Sequence, residues 1–244
     1  MQLAGGAGLA AAVAACSSRS AVESLPKPAA PPPQQPAPVP PPETTLAASA
    51  SGVMLCRESW GARPPLPGGT PQTITRMTIH HTAVVLGDNS NSPERLRQHQ
   101  RYHQDDKGWI DIAYHVGVDR DGNIFELRTP ALAGDTATDY NTIGHFLVVC
   151  EGDFDQETVT EAQLNGAALA FAWAAQNFHV PPETLAGHRD LAATSCPGAN
   201  LYAHVASGDL KERIDDMVAA GTVDLQRVCG PEAASIVAAI EAGQ

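Results

Sequence analysis

DIAYHVGVDRDGNIFELR, running from Asp111 to Arg128, carries the clearest fold signal in this 244-residue chain. Ile112, Tyr114, Val116 and Val118 recur at every second position, the period of a half-buried strand. Asp121-Gly122 follows, a pair suited to a tight hairpin, and residues 123–128 return as a second strand. Outward from this hairpin, residues 75–81 (TRMTIHH) have strand composition and residues 143–150 form a further apolar strand. Ser92-Pro93-Glu94 opens a helix with serine as cap and proline at the first position, extending to about residue 103. Thr160-x-x-Gln163 is a capping box that starts an alanine-rich helix ending near residue 178. Two shorter helical stretches, near 209–220 and 231–242, close the chain. Strands interspersed with helices, with a hairpin in the sheet, predict a single α/β or α+β domain.

The first fifty residues have a different character. Residues 3–15 are almost wholly Leu, Ala, Gly and Val and end at Ala14-Ala15-Cys16-Ser17. That is the composition of a signal-peptide core, and a cysteine after small residues resembles a lipobox, which would make Cys16 a lipidation site. Residues 17–50 are rich in Pro and Ala, with Pro31-Pro32-Pro33 and Pro40-Pro41-Pro42, and read as an extended spacer. The expected organisation is an export segment (1–16), a linker (17–50), a compact domain of ordinary size (51–205) and a helical C-terminal extension packed on it (206–244). Location in the envelope of a bacterial cell follows, with membrane contact only through a lipid anchor.

Lys plus Arg number 15 against 27 Asp plus Glu, a net charge of −12. Binding to nucleic acid or anionic lipid needs basic clusters, so neither is expected. Five cysteines occur without a Cys-x-x-Cys pair, against a zinc ribbon or thioredoxin-type site. Three groups suggest a different metal site: His80-His81 at a strand end, His188 before Arg189-Asp190, and Cys196 before Pro197-Gly198. Adjacent strand side chains point to opposite faces, so only one of His80 and His81 can face a common site. Two imidazoles and a thiolate suit zinc with a fourth position left open. On residue types alone, the histidines also read as hydrogen-bonded surface groups and Cys196 as half of a disulfide. Cys56 and Cys229 flank the domain and are predicted to pair, with Cys150 buried as a small apolar residue.

Six pieces in order carry a resemblance: Ser59-Trp60-Gly61-Ala62-Arg63, Ile79-His80-His81-Thr82-Ala83, Gly108-Trp109 through His115, Asp121-Gly122-Asn123 through Glu126, Tyr140-Asn141-Thr142-Ile143-Gly144, and Gly187-His188-Arg189-Asp190 through Cys196-Pro197-Gly198. Together they are similar to the peptidoglycan recognition protein and type-2 amidase family. The resemblance implies a central mixed β-sheet flanked by helices, with a zinc-containing groove. It implies one zinc, held by His80, His188 and Cys196, and assisting roles for Tyr114 and Thr194. It further implies hydrolysis of the amide between the lactyl group of N-acetylmuramic acid and the first alanine of peptidoglycan, by a monomer. Trp109, Arg128 and Asn141 become substrate-binding candidates. Gly108-Trp109 and Arg128 match the pattern of members selective for meso-diaminopimelate, with Arg128 pairing that residue's extra carboxylate. Groove packing is the competing reading for Trp109, a solvated strand end for Arg128, and a place in the core of the alternating strand for Tyr114. Two departures stand in the groove region: Ala133-Gly134-Asp135 replaces a common Gly-Ala-His, and His145 stands where an apolar residue is preferred. The competing functions are a peptidoglycan-binding module without catalysis and an amidase of soluble anhydromuropeptides.

Overall fold

The computed structural model describes residues 50–244. The export segment, Cys16 and nearly all of the linker lie outside them. Seven strands form one mixed sheet: β1 (Ser51–Leu55), β2 (Arg76–His81), β3 (Val116–Val118), β4 (Ile124–Glu126), β5 (His145–Cys150), β6 (Leu185–Gly187) and β7 (Asp224–Val228). Their order across the sheet is β6-β2-β5-β3-β4-β1-β7, and every neighbouring pair is parallel except the β3–β4 hairpin. Five helices accompany it: α1 (Ser92–Arg101), α2 (Glu161–Phe178), α3 (Ala199–Ala206), α4 (Asp209–Ala219) and α5 (Gly230–Glu241). Among the described residues no helix is long and apolar enough to cross a membrane.

Alternation along β2 and β5 sends Met77, Ile79, Phe146, Val148 and Cys150 into one buried cluster with Leu164, Ala168 and Phe171 of α2. The alanines of α2 let the helix lie close on the sheet. Its start is capped as the sequence predicts, Thr160 Oγ1 accepting from the Gln163 amide at 3.1 Å. The reciprocal half of the box does not form. Gln163 is fully buried, and its Nε2 donates instead to the carbonyls of Val118 (2.9 Å) and Glu151 (3.0 Å), tying α2 to two strand ends. On the opposite face Leu55, Phe125, Leu127 and Val149 pack against Leu96 of α1 and Val237 of α5.

Three expectations need correction, and one on the cysteines stands. Residues 111–119 are not one half-buried strand: only Val116–Val118 pairs in the sheet, and all of 111–119 except Tyr114 is buried. Side chains hold its start, while residues 113–115 keep scattered backbone bonds to neighbouring segments. The Asp111 carboxylate accepts from Gln100 Nε2 (2.7 Å) and the Ile112 amide (2.8 Å) and is paired with Arg57 at 2.8 Å. The segment 206–244 is not a purely helical extension, because β7 pairs in parallel with β1 along its whole length and forms the sheet's edge. Exposed Asp224, Gln226 and Arg227 hide that strand's apolar signal. Helix α1 begins at Ser92 with Asn91 as cap, one residue earlier than the serine-cap reading, and continues past Arg101 as a π-helical turn over Tyr102–Asp106. The Cys56–Cys229 disulfide is present, with Cα atoms 5.3 Å apart, and Cys150 is a buried free thiol.

Candidate metal centre

β2 and β6 are parallel neighbours in the register Ile79↔Gly187. His80, the next residue of β2, and His188, the first residue past β6, therefore emerge side by side with ring centroids 4.7 Å apart. Cys196 returns to them on the loop after His188, held by the Arg189 amide donating to the Cys196 carbonyl at 2.9 Å. Gly198 makes that return possible. Its φ is +86°, and a Cβ there would lie 2.6 Å from the carbonyl carbon of Phe154, so only glycine fits.

His80 Nδ1 lies 3.6 Å from Cys196 Sγ, and one ligand atom from each of His80, His188 and Cys196 falls within 4.8 Å of the other two. A tetrahedral zinc, with bonds of about 2.0–2.1 Å to nitrogen and about 2.3 Å to sulfur, sets those two atoms about 3.6 Å apart. The residues fit a zinc ion. His81 faces the other way, as strand alternation requires: it stacks on Phe154 and its Nδ1 accepts from the Phe154 amide at 3.3 Å. Its own amide donates to Cys196 Sγ at 3.4 Å, a contact that favours thiolate.

Burial governs the charges here. It holds His80 well below the usual imidazole range, with neighbouring histidines adding to the effect, and lowers His188 to about 4. Both rings are neutral at neutral pH, the form that ligates metals. Burial also pushes the bare Cys196 thiol up to about 12, so a cation must supply the driving force for its ionisation.

The centre floors a cavity of about 290 Å³ whose walls include Tyr114, Thr194, Trp109 and Lys107. Tyr114 stands 5.1 Å from the His80 ring, and burial raises its phenol far above the ordinary value, so it is a hydroxyl donor and not a base. Its ring also touches the apolar cluster below, so the packing and site readings both describe it. Thr194 Oγ1 accepts from the Cys196 amide at 3.2 Å, leaving its proton to donate.

Trp109 and Asp135 are shared with a second hollow of about 350 Å³, lined also by Arg128 and Asn141, so the candidate metal, catalytic and substrate-binding residues line two adjoining hollows. Trp109 packs on His103 at 4.8 Å, and Asn141 is exposed with its Oδ1 accepting from Ile143 N. Arg128 is not a solvated strand end: it is 2% exposed. Its guanidinium donates to the carbonyls of Ile112, Ala133 and Asp111 and pairs with Asp135, which accounts for four of five N–H groups. Asp135, the departure noted in the sequence, thus already occupies the position of a carboxylate partner.

Sequence reasoning missed His103, Thr138 and Tyr140 as site residues. His103 walls the cavity, with Nδ1 accepting from the Ala113 amide at 3.1 Å. Thr138 and Tyr140 contact His188 and His80 from a loop. Tyr140 appeared only within a motif, and nothing in the spacing marked the other two.

A family model described as N-acetylmuramoyl-L-alanine amidase matches residues 70–199, more than half of the chain. The chain belongs to this amidase family. Its relatives include peptidoglycan-recognition protein LB of Drosophila melanogaster, 31% identical over 68% of this chain and 73% of that protein. The N-acetylmuramoyl-L-alanine amidase of Sus scrofa is 34% identical over 60% of this chain, which spans only 25% of that protein. The solved structure of peptidoglycan recognition protein LE in complex with tracheal cytotoxin, a monomeric diaminopimelic acid-type peptidoglycan, is 28% identical. It superposes with a TM-score of 0.58 over 63% of this chain and 92% of that one. The family thus holds both recognition proteins and amidases, and its fold is the mixed sheet with flanking helices seen here.

Proposed function

We propose that this amidase-family chain is a zinc-dependent N-acetylmuramoyl-L-alanine amidase that cleaves the lactyl–L-alanine amide of peptidoglycan. The observation that carries the reading is the complete His80–His188–Cys196 set, spaced for tetrahedral zinc at the floor of an open groove. A zinc ion bound there supplies a Lewis acid that polarises an amide carbonyl and acidifies water. Tyr114 donates a hydrogen bond to the oxygen on which charge develops, and Thr194 offers a second donor from the other wall. Trp109, Arg128 and Asn141 bind the stem peptide along the continuing hollow, a diaminopimelate carboxylate reaching Arg128 only by displacing Asp135. The N-terminal segment exports the enzyme and, through Cys16, tethers it at the envelope, with the proline-rich linker giving it reach toward the wall.

The test joins metal analysis of the purified chain with mass spectrometry of digested peptidoglycan. About one zinc per chain and release of free stem peptides are expected. Cys196→Ser should keep the fold and lose both zinc and hydrolysis. Full activity in that variant, or in chelated protein, refutes the zinc assignment, and a wild-type chain that releases no stem peptide is a recognition module instead.

A further inference from the structure

The loop 136–140 flanks the metal centre, with residues 136–138 in the cavity wall. Tyr140 Oη lies 3.3 Å from His80 Nε2, and Thr138 Oγ1 lies 2.6 Å from His188 Nε2. In each case the contact is to one ring nitrogen, and for His80 the other nitrogen, Nδ1, is the one that approaches Cys196 Sγ. We propose that Thr138 and Tyr140 are positioning residues that accept the Nε2–H protons of His188 and His80 and so present both Nδ1 lone pairs to the metal. The proposal rests on the reading of His80, His188 and Cys196 as zinc ligands.

An imidazole that ligates through Nδ1 must carry its proton on Nε2, and whatever accepts that proton fixes both tautomer and ring orientation. Thr138 is set up to accept. Its amide donates to Thr136 Oγ1 at 3.1 Å, and its hydroxyl lies 2.8 Å from the same oxygen. With Thr136 Oγ1 taking that hydroxyl proton, the lone pairs of Thr138 are turned toward His188, and the bonds run His188 to Thr138 to Thr136. Tyr140 has a second hold on the centre through its ring. The ring lies 5.0 Å from that of His188 and meets His145 edge-on at 5.4 Å. His145 is itself pinned by Thr78, its Nδ1 lying 2.7 Å from Thr78 Oγ1. The unexpected histidine at the start of β5 is therefore the floor on which Tyr140 rests.

Outer partners of this kind typically change metal affinity about 10–100-fold when removed. The test is competition of the full chain with a chromogenic zinc chelator, a measurement independent of hydrolysis. Tyr140→Phe keeps the ring and removes the acceptor, and Thr138→Val does the same in the shape of threonine. Each should weaken zinc binding about 10–100-fold, and Thr138→Ser, which restores the hydroxyl, should bind within about threefold of wild type. Cobalt(II)-substituted Tyr140→Phe should show shifted visible bands, since a freed imidazole turns within the coordination sphere. Wild-type zinc affinity in both Tyr140→Phe and Thr138→Val overturns the proposal, as does a Thr138→Ser variant as weak as Thr138→Val. A wild-type chain that binds no zinc fails earlier and sinks the metal assignment itself.

Discussion

The two faces of the central sheet are built from the same strands and obey different rules. Facing α2, the strands show Met77, Ile79, Phe146 and Val148, and the alanine-rich helix closes over them with Gln163 as its buried polar tie to the strand ends. On the opposite side, the neighbouring positions of the same strands show Thr78, His80 and His145, all buried and held by specific hydrogen bonds, with His80 reaching the groove. One residue of offset along β2 separates a packing problem from a chemical one. The first face tolerates any shape that fills space, whereas the second requires each polar atom to find its partner, because an unpaired buried polar group costs about 1–3 kcal/mol.

The strongest way to break the comparison is a cavity on the apolar side. Phe171 of α2 is fully buried and meets Phe146 edge-on at 6.3 Å. Phe171→Ala should lower stability by about 3–5 kcal/mol while the folded fraction keeps wild-type zinc affinity. Denaturant unfolding and chelator competition on the same samples check this. Parallel losses in both would mean that the faces are mechanically coupled and not merely adjacent.

How far the sequence carries the reader follows the same division. The apolar face was legible from local pattern: the strand at residues 75–81, the strand entering Cys150, the Thr160 cap and the helix to Phe178 all stand as read. Strand alternation also separated His80 from His81 correctly, and six ordered motifs brought His188 and Cys196 to the same place. What stayed hidden is held by long-range side-chain pairs, which leave no period. Asp111 is fixed by Arg57, 54 residues away, and the alternation of residues 111–115 gives no sign of this. Thr138 reaches His188 across 50 residues and Tyr140 reaches His80 across 60. Arg128 shows the same limit: its sequence position suggested a free charge, and only the fold reveals that three carbonyls and Asp135 have claimed it.

Tyr114 belongs to both regions at once and so sharpens the comparison. Its ring packs on the apolar cluster, and its hydroxyl faces the cavity above His80. Tyr114→Phe retains the packing and deletes the donor. If the hydroxyl serves the reaction, turnover should fall about 10²–10³-fold, the usual effect of one lost oxyanion donor, with zinc affinity and thermal midpoint unchanged. Wild-type turnover would assign the residue wholly to packing and leave Thr194 as the donor.

The smallest effect is expected where the two rules collide. Glu151 follows β5 directly, is completely buried, and neither carboxylate oxygen has a well-formed hydrogen bond among the described residues. Burial is the main cause that holds its pKa well above the ordinary carboxylate value of 4.5, with Asp119 reinforcing it and Ser92 and Arg95 opposing it. The folded chain therefore binds this proton more tightly than the unfolded chain does. The stability that this contributes is full below the unfolded pKa and is lost as pH rises toward the folded one. Glu151→Gln fixes a neutral group of the same shape, and so should be more stable than wild type at pH 8, with the gap closing as pH falls toward 5. Each kcal/mol regained shifts the midpoint by about 2–4 °C at this chain length, and a gain of about that size is expected. The reading to take is the difference between the two melting curves at each pH, since every other titrating group is common to both. A gap that is constant with pH would show that Glu151 is charged in the folded chain and paid for by a partner, returning this corner of the sheet to the rule of the polar face.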